Sequence, residues 1–284
     1  MDDATASLTI TESIESLRRF VAEHRQIFVL TGAGCSTDSG IADYRDQNGE
    51  WKRPSPVTLQ AFVAEPLARQ RYWARSLIGW PRIAAAQPND AHRALQQMQV
   101  RGLTRCLLTQ NVDGLHQRAG STGVIDLHGR LDQVCCLSCK RIGSRMQWQQ
   151  QLTQLNQQWL AQWLNLQAAD APDGDADLDG VPFERLVVPP CEHCGGIIKP
   201  DVVFFGETVP RDRVEAAMSA LAQSDAMLVV GSSLMVYSGF RFARAAAQQG
   251  IPIAAIGLGK TRADELLTFR LRARCAPALQ ACLS

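Results

Sequence analysis

IFVLTGAGCSTDSGIADYR, residues Ile27 to Arg45, decides the fold. Ile27 to Thr31 run without a charge and empty into Gly32, Ala33 and Gly34. A short run that is apolar on both faces is how a strand buried in a helix-covered parallel sheet reads. A glycine turn directly after such a strand opens a nucleotide-binding βαβ unit. A dehydrogenase fingerprint keeps a third glycine three residues beyond the second, and here Thr37 stands in that place. The loop runs on instead into Ser36, Asp38, Ser39 and then Asp43, Tyr44 and Arg45.

Three further segments repeat the pattern of an apolar run ending in small or polar residues. They are Leu103 to Leu108 before Gln110, AMLVVGSS (Ala226 to Ser233) and IPIAAIGLG (Ile251 to Gly259). Helix-like stretches separate them, which predicts an α/β fold with a Rossmann-like parallel sheet whose strand ends carry the ligand. At the start of the chain Thr9 and Glu12 read as a capping box before the helical face of Ile14, Leu17, Phe20 and Val21. Two intrusions interrupt the sheet pattern, the first helical by pattern and the second carrying the paired cysteines Cys136/Cys139 and Cys191/Cys194, and together they predict a smaller inserted helical and zinc-binding domain. The division is residues 1–53, 87–129 and 208–284 for the Rossmann-like domain, 54–86 for the helical insert, and 130–207 for the zinc-binding module. Within the last, ADAPDGDADLDG (Ala169 to Gly180) is an exposed loop by composition and lacks the spacing of a calcium-binding loop.

The 284 residues suffice for a substantial core, and 46% hydrophobic with 20% charged is the balance of an ordinary globule. A formal net charge of +1 supplies no electrostatic reason for a nucleic-acid partner. No apolar run reaches the ~18 residues of a membrane span, and Asp2 and Asp3 replace the basic start of a leader. A cytoplasmic monomer is the expectation.

Nine cysteines are present, and an odd count argues against a disulfide framework. Cys136-Leu-Ser-Cys139 and Cys191-Glu-His-Cys194 form two C-x-x-C pairs, a spacing that lets both sulfurs of each pair converge on one ion. Four thiolates suit a closed tetrahedral structural Zn²⁺ site. Gly195 and Gly196 permit the tight turn after the second pair, His193 reads as a solvated spacer residue, and Cys135 as a bystander. Cys35, Cys106, Cys275 and Cys282 read as packed small hydrophobes.

Gln110, Asn111 and Asp113 stand where a strand leaves the sheet. Burying an amide and a carboxylate there requires partners, and ribose hydroxyls with a carboxamide supply them, so a nicotinamide-type ligand fits. An Asx turn capping the next helix would equally satisfy Asn111 or Asp113. His128, before a glycine in IDLHGRLD, is a candidate general base, with a structural role as the other reading. His116 falls in the middle of an expected helix. Gly231, Ser232 and Ser233 offer backbone room and hydroxyls for phosphate or ribose.

Together GAGCSTDSGIADYR, TQNVDGLHQRAG, LHG, the two cysteine pairs, GGIIKPDVVFFGE and GSSLMVYSG resemble the sirtuins, NAD-dependent protein lysine deacylases, in family order from about Ile27 to Cys275. QRYWARSLIGWP, APDGD and TRADEL are similar to the class II branch, to which the mitochondrial sirtuin 4 of animals belongs. The resemblance implies NAD as consumed co-substrate, with Gly32, Ala33, Gly34 and Thr37 at the pyrophosphate and Asp43, Tyr44 and Arg45 near the nicotinamide ribose. Gln110, Asn111 and Asp113 would hold ribose and carboxamide. Gly231, Ser232, Ser233 and the turn Gly257, Leu258 and Gly259 would face the adenosine half, and the Cys275 backbone the adenine.

The implied chemistry transfers an acyl group from a modified lysine to ADP-ribose with release of nicotinamide. His128 would act as base toward the ribose hydroxyls, beside Asn111, and an acyl-lysine peptide would add as a strand along Val202 to Gly206. Protein mono-ADP-ribosylation and a non-catalytic NAD-sensing module are the alternative readings. Ala42, Tyr44 and Cys35 depart mildly from the family pattern, and Gly257 replaces a usual asparagine of the late turn. Tyr72 and Arg75 share one helical face. Either they grip the carboxylate of an acidic acyl group, or Tyr72 packs the small domain with Trp73 while Arg75 makes a surface or interdomain ion pair.

Overall fold

The computed structural model describes residues 14–43, 46, 48, 50, 52, 57–163 and 181–283. The capping box of Thr9 and Glu12, the candidate ligand residues Tyr44 and Arg45, and the aspartate-rich loop of 169–180 lie outside the described residues. The described chain begins with a helix over residues 14–23 (α1) and the strand Ile27–Thr31 (β1). There follow α2 (Leu59–Ala64), α3 (Pro66–Ala85), α4 (Asp90–Val100), β2 (Thr104–Thr109), α5 (Leu115–Arg118) and β3 (Ile125–Asp126). Next come β4 (Gly129–Cys136), β5 (Ile142–Ser144), α6 (Arg145–Leu155), α7 (Gln157–Trp163) and β6 (Ile198–Val202). The last are α8 (Arg211–Ala222), β7 (Ala226–Val230), α9 (Tyr237–Gln248), β8 (Ile253–Ile256), β9 (Phe269–Leu271) and α10 (Cys275–Leu283).

Six strands form one parallel sheet in the order β3-β2-β1-β7-β8-β9. Residues of β1 alternate between two cores. Phe28 and Leu30 pack with Ala217 and Leu221 of α8 and with Phe242, Ala243 and Ala246 of α9. Ile27 and Val29 pack with Leu17 and Phe20 of α1, Leu95 and Met98 of α4, and Leu279 of α10. Helices therefore cover both faces, which is why every residue of β1 is fully buried. The chain steps outward from β1 through β2 and β3 on one side and through β7, β8 and β9 on the other. Between β1 and β7 lies the topological switch point, the place where such sheets open a ligand crevice beyond the strand carboxyl ends.

The four strands expected from the sequence are present, and β3 and β9 are additions. These two edge strands span only Ile125–Asp126 and Phe269–Leu271, too short for any periodicity to register. A second sheet, β5-β4-β6, is antiparallel. It shares a third core with the helical insert, built around Phe62, Trp73, Trp80, Leu131, Trp148, Val202 and Phe204. Arg145, the first residue of α6, is wholly buried there. Its guanidinium lies 4.6 Å from the Trp80 ring centroid and 5.4 Å from that of Trp73, and donates to Ser76 Oγ at 3.1 Å. Among the described residues no helix is long and apolar enough to cross a membrane.

Candidate active site and metal centre

The loops after β1 and β7 are pressed together. Gly32 N donates to Val230 O (3.0 Å) and Gly34 N to Gly231 O (2.8 Å). A Cβ on Gly32 would lie 2.7 Å from Ser232 Cβ, and one on Gly34 3.0 Å from Gly231 Cα. Gly231 has a φ of +64°, and a Cβ there would meet Cys35 N at 2.3 Å. The glycines kept in this loop thus have a protein-internal reason: two backbones meet where no side chain fits. Gly257 N, after β8, donates to Leu271 O (3.1 Å), and Gly231 N to Ile256 O (2.8 Å). The Cys275 thiol sits 3.9 Å from the same Ile256 carbonyl, so the late turn, Gly231 and Cys275 do converge.

Asn111 follows β2. Its Nδ2 donates to Gly32 O and to Ser36 Oγ, each at 3.0 Å. Since Gly32 O only accepts, this sets the amide orientation. Ser36 Oγ in turn donates to Asp113 Oδ2 (2.7 Å), and Asp113 Oδ1 accepts from Leu115 N (2.9 Å). Both oxygens of Asp113 are therefore engaged by protein, one of them in the Asx turn that opens α5. Ser36, absent from the sequence-based candidates, joins Asn111 to Asp113. Thr37 Oγ1 donates to Gly34 O (3.2 Å), while Asp43 forms an ion pair with Lys52.

His128 lies between β3 and β4. Its Nδ1 is 3.0 Å from Gln110 O and its Nε2 is 2.8 Å from Ser238 Oγ. A carbonyl only accepts, so Nδ1 carries the proton, and in the neutral ring Nε2 is the lone pair that accepts from Ser238. Burial, opposed by the bond to Gln110 O, lowers the pKa to about 4, with Arg213 and Arg241 adding to the shift. The ring is neutral at neutral pH, with Nε2 unprotonated, as a base must be. Gln110 Oε1 in turn accepts from Ser232 Oγ (2.6 Å).

Behind the crevice two more histidines are buried, His92 and His116, with ring centroids 4.8 Å apart. Thr31 Oγ1 donates to Thr109 Oγ1 (2.8 Å), so His116 Nε2, 2.9 Å from Thr31 Oγ1, must be the donor there. His92 Nδ1 accepts from Asn89 N (3.3 Å), completing a reciprocal cap of α4. Burial lowers their pKa values to about 4 for His92 and about 3 for His116.

At the far end of β4, Cys136 Sγ is 3.5 Å from Cys194 Sγ and Cys139 Sγ is 3.9 Å from Cys191 Sγ. The four sulfurs all lie within 4.8 Å of one another. Zn–S bonds of ~2.3 Å in a tetrahedron place sulfurs ~3.8 Å apart, so the donor set and its spacing fit Zn²⁺. The two knuckles share one backbone turn: Lys140 N donates to Cys136 O (3.0 Å) and Gly195 N to Cys191 O (2.7 Å). Each turns through a left-handed residue, Lys140 at φ 60° and Gly195 at φ 73°. Gly196 is needed for a different reason than turning. A Cβ there would lie 2.5 Å from Ser138 Oγ and 2.9 Å from Cys136 Sγ. His193 is exposed, as expected.

A family model described as the Sir2 family matches residues 32–238. The chain belongs to the Sir2, or sirtuin, family. Among similar curated proteins is an NAD-dependent protein deacetylase of Xanthomonas axonopodis pv. citri. It is 62% identical over 93% of this chain and 89% of its own length. NAD-dependent protein deacetylase 2 of Bradyrhizobium diazoefficiens is 61% identical over 93% of this chain and 96% of its own. Among solved structures, a Sir2 variant with a deacetylated p53 peptide and 3′-O-acetyl-ADP-ribose superposes with a TM-score of 0.76, at 29% identity over 95% of this chain and 97% of that one. A Sir2 complex with a p53 peptide and NAD⁺ gives 0.73, at 26% identity over 94% and 95%.

In this Sir2 chain the segment Val202–Gly206 is strand only at Val202. Val203 N donates to His128 O (2.8 Å), and Phe205 O accepts from Leu59 N (3.0 Å), so the chain turns from β6 toward α2. Glu207 Oε2 accepts from Phe204 N (2.8 Å) and from the buried Lys199 ammonium (3.1 Å), bracing that turn. Tyr72 is 4% exposed and ringed by Phe62, Trp73 and Phe204 at centroid distances of 5.2–5.5 Å. Its ring is part of the small-sheet core.

Proposed function

We propose that this Sir2 protein is an NAD-dependent protein lysine deacylase in which His128 is the general base. The observation that carries the reading is the fixed tautomer of His128, neutral and with its Nε2 lone pair capped only by the rotatable Ser238 hydroxyl beside the switch-point loops. A base so held accepts a proton from a ribose hydroxyl of NAD and lets that oxygen take the acyl group. When bound, NAD supplies the electrophilic ribose carbon and the nicotinamide leaving group.

Gly32, Ala33, Gly34 and Thr37 line the pyrophosphate site. Asn111 holds the nicotinamide half together with Gln110, Asp113, Asp43, Tyr44 and Arg45. Gly231, Ser232, Ser233, Gly257, Leu258, Gly259 and the Cys275 backbone receive the adenosine half. Support for these roles comes from the convergence of the loops after β1, β2, β7 and β8 on one crevice. An acyl-lysine peptide pairs by its main chain along Val202–Gly206, a role supported by the peptide complexes of similar Sir2 proteins. Cys136, Cys139, Cys191 and Cys194 hold one Zn²⁺, whose contribution is a cross-link between β4 and the segment before β6. The three hydrophobic cores support the division into a Rossmann-like domain and an insert made of 54–86 and 130–207. Placement in the class II branch and in the cytoplasm completes the reading.

The test is nicotinamide release from NAD with an acylated peptide. His128→Ala lowers turnover by about 10²- to 10⁴-fold, the usual worth of a general base, while NAD binding measured by calorimetry survives. Turnover near that of the parent in His128→Ala removes His128 from the mechanism.

A further inference from the structure

Ser238 is the second residue of α9 and is buried. Its hydroxyl is bonded to the Nε2 of His128 at 2.8 Å, the nitrogen that must take up the proton. The residue after it, Gly239, is fitted against Gln110, since a Cβ there would lie 2.5 Å from Gln110 Nε2. Gln110 supplies the carbonyl that holds the other ring nitrogen of His128 (3.0 Å), and its side chain accepts from Ser232 (2.6 Å). The first turn of α9, the strand end of β2 and the imidazole thus form one packed unit.

Resting on the reading of His128 as base, we propose that Ser238 is a positioning residue that holds His128 in its reactive tautomer and stays bonded to it after proton uptake. A hydroxyl suits this task because it rotates. Toward the neutral ring it donates to the Nε2 lone pair; toward the imidazolium it turns and accepts from Nε2–H. The Ser238 hydroxyl turns out of the Nε2 lone pair as a ribose hydroxyl of NAD approaches: the O–H bond broken is the ribose's, the N–H bond formed is at Nε2, and Ser238 keeps its own proton.

The sign of its effect follows from relative strengths. Hydrogen bonds to a charged partner are about twice as strong as those between neutral groups. Ser238 therefore favours the imidazolium over the neutral ring and opposes the burial that disfavours it. The charged groups acting on His128 are Arg213 of α8 and Arg241 of α9, both of which disfavour the imidazolium. Arg213 also lies 3.8 Å from Asp201. The Gln110 carbonyl offsets them in part, and Ser238 is a second neutral group bonded to the ring.

Three measurements test this on the full-length enzyme. Ser238→Ala should reduce kcat by about tenfold with KM for NAD changed less than twofold. The acidic limb of its kcat–pH profile should move down by about 0.7–1 unit, the logarithm of a five- to tenfold loss of proton affinity. Ser238→Thr, which keeps the hydroxyl, should restore both. Independently of any variant at 238, ¹⁵N-histidine NMR of the unmodified protein should show one ring, absent in His128→Gln, with the proton on Nδ1. A wild-type kcat and pH limb in Ser238→Ala, or a proton on Nε2, overturns the proposal while His128→Ala stays inactive. Full activity in His128→Ala overturns the base assignment and this proposal with it.

Discussion

Gly32 abuts Ser232 so closely that a single methyl group at position 32 would come within 2.7 Å of the Ser232 Cβ. The contact joins the loop after β1 to the loop after β7, across the switch point. Gly231 on the other side of the seam is tighter still, with φ +64° and an added Cβ 2.3 Å from Cys35 N. Gly231→Ala is expected to combine overpacking with a left-handed backbone, a cost of about 2–4 kcal/mol. A fall in Tm of roughly 5 °C or more and a loss of NAD binding should accompany each other. Calorimetry with NAD and a thermal melt check both, and an unchanged NAD affinity would separate this seam from the ligand site.

Removal of one sulfur from the metal centre should act locally. Cys191→Ser is expected to bring zinc from one equivalent to well below half, because a structural site closes on four protein ligands. Metal binding and folding are one equilibrium in such sites, so the small sheet that carries Cys136 loses stability with the ion. Elemental analysis and amide hydrogen exchange over residues 129–144 and 191–202 check it. Slow exchange persisting in a zinc-free variant would mean that the third core holds the sheet unaided.

Acid should destabilise this protein early. His92, His116 and His128 are held near 4, 3 and 4 by burial, against an ordinary value of about 6.5 in the unfolded chain. Below pH ~6.5 the unfolded chain binds protons that the folded one refuses, so stability is full above that pH and declines as it falls toward 4. Melts across pH 5 to 8 should show Tm dropping on the acid side. The drop should be shallower in His116→Gln, which removes one of the three titrations; equal slopes would exclude His116 as a contributor.

Gly257 is a glycine by choice of side chain and not by need of space. The nearest atom to a Cβ placed there is Gly231 Cα at 3.9 Å. Gly257→Asn should therefore leave stability within about 0.5 kcal/mol. If the amide gains one hydrogen bond to the adenosine half, the Kd for NAD should fall by up to about tenfold. Weaker NAD binding in the variant would show that the turn itself had been reshaped.

Tyr72 belongs to the aromatic core behind the Val202–Gly206 turn, which bears on the choice of acyl group. Arg75→Met should lower removal of acetyl and succinyl groups from one peptide by similar factors, as loss of a structural contact does. A succinyl-specific loss of at least about tenfold, or 1.4 kcal/mol, would instead assign Tyr72 and Arg75 to a carboxylate.

The sequence alone determined what short-range pattern encodes. Ile27–Thr31, Ala226–Val230 and Ile253–Ile256 announce themselves because a strand buried on both faces must be continuously apolar. The paired cysteines announce the metal centre because each knuckle brings its two sulfurs together within four residues. What only the tertiary structure decided are relationships between residues distant in the chain. The kept glycines prove to be demanded by a seam between residues 32 and 232, and Asp113 to be engaged by Ser36, 77 positions away. Ser238 reaches His128 across 110 positions, and His92 meets His116 with no motif linking them. Such contacts depend on the sheet order, which places the loops after β1 and β7 side by side, and sheet order is written in no local stretch of sequence.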